Sequence, residues 1–582
     1  MNVRTGLPLL VLGALVAFPV IDPAATYEQT VLLMAFLLAI QAVSWNIISG
    51  FAGYISLGHS VFLGIGAYTA GILAARWHVN PLVLAPLAGV VAVVVALLVG
   101  SVVLRAKGPA FVIITIALLL VFQVLTVNTP ALTNGSDGIT LELPSWSSDI
   151  QNIPFYYAFL GLLVVTVGFA GWIRRTKFGT GLVAIREDEG KAAAIGIPTT
   201  LYKNLAYAAS AFFVGVAGAV YAYFLTFLNP LGAFNILASV MVVLAALVGG
   251  KGTLWGPVVG AFIVSFAGEA ATNFGGESQT RLVMFGVALV LVVVFMPDGL
   301  VPLLNRLVAR KRQAVDYIDH VVTVERRPVE PSVPKTEVLL EFRDVGKAFG
   351  GLRAVNGVNL AVLDGSITAL IGPNGSGKTT LFNLVTGIAG GHSGEIRLAG
   401  RPLTGLPPWT RAHLGLGRTF QVTRLFKAMT VMENVVAPLR GFAPGVLASD
   451  AVAGHEADRA RELLSFVGLG RFTTERAGAL SYGQQKLVEL AQVLMLEPRM
   501  VLLDEPAGGI SPGLVDRMAE IIRELNHRGV TFLVVEHNIP MVLDLCDSVF
   551  VVAGGSVLAA GPPEIIRSNP AVLDAYLGGV VS

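Results

Sequence analysis

Through its first 300 residues the chain returns again and again to long apolar runs with very few charges between them. The runs lie at 7–21, 30–48, 55–75, 81–104, 110–127, 155–173, 204–225, 236–250, 255–271 and 281–297. A helix that crosses a bilayer needs about 20 apolar residues, with roughly 17–25 usual, so the shorter runs are expected to be tilted, broken or re-entrant. The pattern predicts eight to ten spans. Of the 78 charged residues, only 23 fall in 1–300 and 55 fall in 301–582, which predicts a membrane domain followed by a soluble one. A net charge of +2 gives no strong field for nucleic acid. The single cysteine, Cys546, excludes an internal disulfide and a multi-cysteine metal site, and reads as a small buried apolar side chain. Arg4 ahead of Leu7–Ile21, with Ala24 and Ala25 beyond, has the outline of a signal peptide. The many spans that follow favour an uncleaved first span.

Within 22 residues fall Gly50, Gly53, Gly58, Gly64, Gly66 and Gly71. Small residues let helix backbones approach closely in lipid, and the same glycines could also mark an interrupted helix beside a pathway. Arg174, Arg175 and Lys177 follow one span, and Arg306, Arg310, Lys311 and Arg312 follow the last. Such clusters accumulate on the cytoplasmic side, and Arg105 with Lys107 suggests a third cytoplasmic loop. Residues 313–337, with Pro328, Pro331 and Pro334 and no apolar period, read as an extended linker between a domain at 1–312 and one at 338–582. Beyond it, strand patterns at Val338–Phe342, Ser366–Ile371, Met500–Asp504 and Thr531–Glu536 and a helix start at Lys378–Val385 predict an α/β fold.

The strongest motif is Gly372-Pro373-Asn374-Gly375-Ser376-Gly377-Lys378-Thr379, followed by Thr380. It lies between a predicted strand and a predicted helix, as a phosphate-binding loop requires. Its glycines let backbone N–H groups converge on phosphate oxygens. Lys378 can neutralise the β- and γ-phosphates, and Thr379 can ligate Mg²⁺. Four apolar residues, Met500–Leu503, run into Asp504 and Glu505, which places two carboxylates at the end of a buried strand. Asp504 can hold Mg²⁺ directly or through water, and Glu505 can orient or deprotonate the attacking water.

With these motifs in place, the C-terminal 245 residues or so resemble the ATP-binding cassette family. Leu480-Ser-Tyr-Gly-Gln-Gln485 is similar to its signature segment, Gln421 in "TFQ" to its glutamine loop, His537 in "VVEHN" to its switch histidine, and Phe349 to the aromatic that stacks on adenine. The resemblance implies that Gln421 senses Mg²⁺. It also implies that Ser481, Gly483 and Gln484 meet the γ-phosphate held by an opposite ATPase subunit, and that His537 positions the water. Tyr482 stands where a second glycine is commoner, and Phe349 where tyrosine is usual. "PAGGISPG" (506–513) lacks an aspartate often found there, which puts communication across the dimer in doubt.

Between two spans, residues 179–196 combine apolar residues with Arg186, Glu187, Asp188 and Glu189 before Gly196, which predicts a short amphipathic helix with a glycine stop. The segment resembles the coupling loop of importer permeases. The stretches 49–68, 108–125, 132–139 and 184–197 resemble the permeases of branched-chain amino acid importers. "LSYGQQ" and the ending "NPAVLDAYLG" (569–578) resemble the matching ATPase. The implied machine is a fused permease–ATPase half of an ATP- and Mg²⁺-dependent importer in the lipid of the cytoplasmic membrane, with its ATPase cytoplasmic. Its implied partners are a second permease and ATPase, more readily a related heteromer than a second copy, and an extracytoplasmic substrate-binding protein. Related importers carry urea or short amides on the same scaffold. Sparse charge throughout 1–300 argues against an exporter half. A non-transport membrane ATPase remains a rival. Polar residues inside the apolar runs, Asn46, His59, Tyr68, Gln123 and Glu269, are either solute-path residues or interhelical hydrogen-bond partners.

Overall fold

The structure, a computed structural model, describes residues 3–147, 150–275, 300–309 and 337–577, except 440 and 442, together with isolated positions between 283 and 299. The expected linker at 313–337, except its last residue, the cluster Arg310, Lys311 and Arg312, and most of the run 281–297 lie outside the described residues. The chain forms two compact units: Met1–Arg175 with Thr200–Tyr317, and Thr176–Thr199 with Ile318–Ser582.

In the first unit, six helices among the described residues are long and apolar enough to cross a membrane: Thr26–Phe51, Pro81–Val103, Pro109–Val127, Ile153–Arg175, Thr199–Leu225 and Pro230–Gly249. Three shorter apolar helices accompany them, Pro8–Ile21, Val61–Trp77 and Gly256–Ala271. Thr26–Phe51 is central, with 83% of its apolar window buried, whereas Pro109–Val127 has 22% buried and turns most of its side chains outward. The outward residues, among them Ile113, Val121, Val124 and Leu125, are the apolar surface that lipid requires.

The run at 55–75 is not a continuous span. The helix Thr26–Trp45 passes into a wider π turn at Asn46–Phe51, the backbone is irregular over 52–60, and a helix restarts at Val61. Irregular backbone at membrane depth must be satisfied by protein. Trp45 Nε1 donates to the Ser56 carbonyl at 2.7 Å, Ser49 Oγ to the Tyr54 carbonyl at 2.8 Å, and Leu57 N to Thr115 Oγ1 at 3.1 Å. The glycines serve close packing as well. A Cβ on Gly66 would stand 2.0 Å from the Gly215 carbonyl oxygen, and one on Gly249 would stand 1.7 Å from that of Gly256. Gly66→Ala is therefore expected to destabilise this unit by about 1–3 kcal/mol, the usual cost of overpacking. Gly161→Ala and Gly168→Ala, where nothing lies within 4 Å of the added carbon, should be silent. Thermal unfolding in detergent compares the three.

The second unit contains the α/β architecture that the sequence predicts. Two two-residue strands lie earlier in the chain, β1 (Ile139–Thr140) and β2 (Phe227–Leu228), paired antiparallel in the first unit. The cassette begins with β3 (Val338–Phe349) and β4 (Leu352–Leu363), which with β6 (Ser393–Leu398) and β7 (Arg401–Pro402) form an antiparallel sheet in the order β4-β3-β6-β7. The second sheet orders β12 (Ser556–Gly561), β11 (Ser548–Ala553), β5 (Ile367–Ile371), β10 (Thr531–Val535), β9 (Met500–Asp504) and β8 (Leu416–Arg418). All its pairings are parallel except β11 with β12. Every residue of β5, β9 and β10 is buried, which explains why they read as unbroken apolar runs. Because these three are adjacent and parallel, the loops leaving their C-terminal ends open along one edge, where open α/β sheets bind ligands.

The segment expected to be one amphipathic helix is two. Thr176 caps Lys177–Glu187, and Asp188 turns the chain and caps Glu189–Ala194, its side chain accepting from Lys191 N at 2.9 Å. The helix cap was concealed in a run of charges. Gly196 ends the segment at φ +91°, where a Cβ would stand 2.6 Å from the Leu439 carbonyl oxygen.

Candidate functional site

The loop after β5 needs its glycines for two different reasons. Gly372 (φ +153°) and Gly377 (φ +104°) face close backbone, with a Cβ falling 2.0 Å from the Val552 oxygen and 2.4 Å from the Ala354 oxygen. Gly375 (φ +79°) has open space, so only its backbone conformation calls for glycine. Asn374 and Thr379 are exposed, Pro373 and Thr380 half-buried, and Ser376 buried. Lys378 opens the helix Lys378–Thr386, and its ammonium is folded back on the loop. It donates to the Gly372 carbonyl at 2.7 Å, the Pro373 carbonyl at 2.9 Å and Ser376 Oγ at 3.4 Å. Burial pulls its pKa down, against the nearby charges of Glu505 and Asp504. The cradle is thus a ring of backbone groups closed on its own cation, which an anionic phosphate could take over.

Asp504 ends β9. Its Oδ2 pairs with Arg418 Nη2 at 3.3 Å, while Oδ1 is buried with no hydrogen-bond partner. Burial pushes its carboxyl up, and the Arg418 guanidinium opposes that shift. An unpartnered buried carboxylate oxygen is a hard donor of the kind Mg²⁺ favours.

Glu505 sits at φ +50°, a left-handed conformation that a non-glycine residue adopts at a cost. Its N–H donates to the Val535 carbonyl at 2.8 Å, its carbonyl accepts from Lys486 Nζ at 2.5 Å and from Gly508 N at 3.1 Å, and Gln421 Nε2 donates to Oε2 at 3.0 Å. His537 Nε2 lies 2.9 Å from Oε1. The structure therefore brings together Lys378, Asp504, Glu505, Gln421 and His537 from four separate loops. The sequence reading missed three residues that position them. Arg418 pairs with Asp504, and Lys486 holds the Glu505 backbone. Buried Glu536 accepts from Ala507 N at 2.6 Å and His537 N at 2.9 Å. Glu536 lies in the quoted run "VVEHN", so a carboxylate ending a buried strand was its available signal.

The signature residues have local duties. Ser481 and Gln484 form a capping box on the helix Tyr482–Leu494. A Cβ on Gly483 would stand 2.2 Å from Leu514 Cδ2. The unusual Tyr482 donates from its hydroxyl to the Gln421 carbonyl at 3.2 Å, tying the signature segment to the glutamine loop of the same chain. Phe349 is 52% exposed, with the Lys347 ammonium 5.0 Å from its ring centroid, so its ring is open to a stacking partner.

Residues 176–199 pack within this unit. Asp188 Oδ2 accepts from Arg424 Nη1 at 3.0 Å, Glu187 Oε2 accepts from Lys427 N at 3.1 Å, and Lys177 pairs with Glu456. Arg186 Nη2 lies 3.6 Å from Glu187 Oε1, and Glu189 lies in the first turn of its helix. Among the membrane residues, Asn46 donates to the Thr253 carbonyl at 2.8 Å and accepts from Gly252 N at 2.7 Å, so both ends of its amide are engaged by protein. Buried His59 sits edge-on to Phe62, Tyr68 stacks on Phe234, Gln123 Nε2 is 3.5 Å from the Phe234 carbonyl, and Glu269 accepts from Tyr27 at 2.7 Å.

Comparison with known proteins adds the following. The family described as branched-chain amino acid transport system / permease component matches residues 29–293, the ABC transporter family matches 355–508, and the branched-chain amino acid ATP-binding cassette transporter family matches 556–582. The high-affinity branched-chain amino acid transport ATP-binding protein BraF of Pseudomonas aeruginosa is 43% identical over 249 residues, covering 41% of this chain and 98% of that protein. LivG of Escherichia coli K12, of the same description, is 41% identical over 252 residues, covering 42% of this chain and 99% of its own. The crystal structure of an ATP-binding cassette of an ABC transporter in its ADP conformation is 34% identical, with a TM-score of 0.39, covering 42% of this chain and 100% of that one.

Proposed function

Because the chain belongs to the branched-chain amino acid ABC transporter family, with permease and ATP-binding cassette in one polypeptide, we propose that it imports branched-chain amino acids across the cytoplasmic membrane at the expense of ATP. The observation that carries the reading is the seating of residues 176–199, which join two membrane helices, in the compact unit that contains the cassette. In this reading residues 1–312 are the permease, 313–337 the linker and 338–582 the cassette.

Each residue then takes a role. Backbone N–H groups of 372–379 and the Lys378 ammonium hold the β- and γ-phosphates, exchanging the loop's own carbonyls for ligand oxygens. Phe349 stacks on the adenine. Thr379, Asp504 and Gln421 hold Mg²⁺, which when bound neutralises charge building on the transferred phosphoryl group. Glu505 accepts a proton from the attacking water, and His537 and Gln421, both touching its carboxylate, orient it. Ser481, Gly483 and Gln484 face the nucleotide of a second cassette, which a partner permease–ATPase pair supplies. Arg186, Glu187, Asp188 and Glu189 belong to the coupling segment, and His59, Tyr68 and Gln123 to the solute path. An extracytoplasmic binding protein delivers the amino acid.

The test is uptake by vesicles of known orientation holding the assembly with its native partners. ATP-dependent accumulation of leucine, isoleucine and valine is expected. A response to urea alone, or net efflux, would overturn the assignment.

A further inference from the structure

The helix Tyr482–Leu494 carries two charged residues one turn apart, Lys486 and Glu489, that face different structures. Lys486 reaches the catalytic edge, where its ammonium donates to the carbonyls of Glu505 at 2.5 Å and Pro506 at 3.2 Å. Glu489 reaches the coupling segment, where its Oε1 accepts from Lys191 Nζ at 2.8 Å. The same oxygen lies 3.5 Å from Arg424 N, three residues beyond Gln421. Lys191 and Glu489 are 1% and 2% exposed. Burial pulls the Lys191 pKa down, against the stabilising charge of Glu489.

A solvent-facing ion pair would hold the segment weakly. A buried pair behaves differently, because separating its members leaves an uncompensated charge inside the protein. The two side chains must therefore move together. We propose that Lys191 and Glu489 are positioning residues that tie the coupling segment to the carboxylate end of β9. Displacement of the Glu189–Ala194 helix drags Glu489, turns the helix that carries Lys486, and alters the grip on the Glu505 backbone. That grip matters because Glu505 is held at φ +50°, so a loosened carbonyl contact lets the residue relax away from its working orientation. Neither residue touches nucleotide in this scheme. The inference rests on the reading of the chain as an ATP-coupled importer.

The test replaces the pair by apolar groups of similar size, Lys191→Met with Glu489→Leu, in the assembly reconstituted with its native partners and binding protein. Such a swap of a buried pair commonly preserves stability. The readout is the stimulation of ATP turnover by L-leucine, alongside the KM for ATP and the melting temperature. Stimulation is expected to fall roughly tenfold, on the usual scale of coupling between two sites, with KM and melting temperature unchanged. Wild-type stimulation in the double variant would overturn the proposal. Should the double variant melt early, the exchange Lys191→Glu with Glu489→Lys decides: stimulation above that of either single variant supports the tie, and stimulation no better than the singles refutes it. A wild-type assembly that leucine fails to stimulate would instead overturn the transport reading itself.

Discussion

Glu505→Gln is expected to lower steady-state phosphate release by about 10²–10⁴-fold, the range that a general base contributes, while leaving nucleotide binding intact. The exchange keeps size and shape but removes the group that takes the proton. Binding should survive because the phosphate cradle is built from Gly372, Gly375, Gly377 and Lys378, whose bonds are among themselves and to neighbouring backbone. The backbone at 505 should also persist. Its anchors are the Val535 carbonyl, the Gly508 N–H and the Lys486 ammonium, each of which bonds to main-chain atoms of Glu505. Phosphate release and binding of a fluorescent nucleotide analogue, measured on one preparation, separate the two effects. Unchanged release would remove Glu505 from catalysis, and lost binding would mean that the cradle depends on its charge.

The second large effect is on stability. Arg418 is 4% exposed and makes three bonds, to Asp504 Oδ2 at 3.3 Å, Asn383 Oδ1 at 2.7 Å and Thr386 Oγ1 at 2.9 Å. It thereby fastens β8 to both the carboxylate strand and the helix of the phosphate loop. Arg418→Met would leave the Asp504 carboxylate, already pushed up by burial, without its cation. Removing one member of a buried pair costs about 3–5 kcal/mol, which for a cassette of this size lowers the melting temperature by roughly 10 °C. Arg418→Lys keeps the charge but loses the planar fork that serves three acceptors, so it should fall between the two. Differential scanning calorimetry orders the three proteins. A melting temperature for Arg418→Met equal to wild type would show that the pair contributes nothing net.

Much of this was legible in the sequence because it is written locally. The phosphate loop is eight consecutive residues, and β9 announces Asp504 and Glu505 with a buried apolar run. The apolar runs located the membrane helices for the same reason: hydropathy is a sum over neighbours. What could not be read is what distance in the chain conceals. Lys191 and Glu489 are separated by 298 residues, and Arg418 and Asp504 by 86, so no local pattern links them. The break at 52–60 was one of two readings of the glycines at 50–71, and sequence could not choose between them because irregular backbone can carry the same apolar side chains as a helix. Asp188 looked like one more surface charge among four, although its backbone conformation makes it the cap that divides two helices. Asn46 was polar in an apolar run, and only the fold shows its amide fastened to Gly252 and Thr253.

The chain leaves one compact unit at Arg175, enters the other, and returns at Thr200. The peptide between the two halves is consequently redundant as a tether. If the backbone were severed anywhere in 313–337, the N-terminal piece would still own residues 176–199, and so would still supply Lys191 to the acid at position 489. A gene split at that point should yield two polypeptides that co-purify. The C-terminal piece made alone would lack the ammonium that pairs with Glu489.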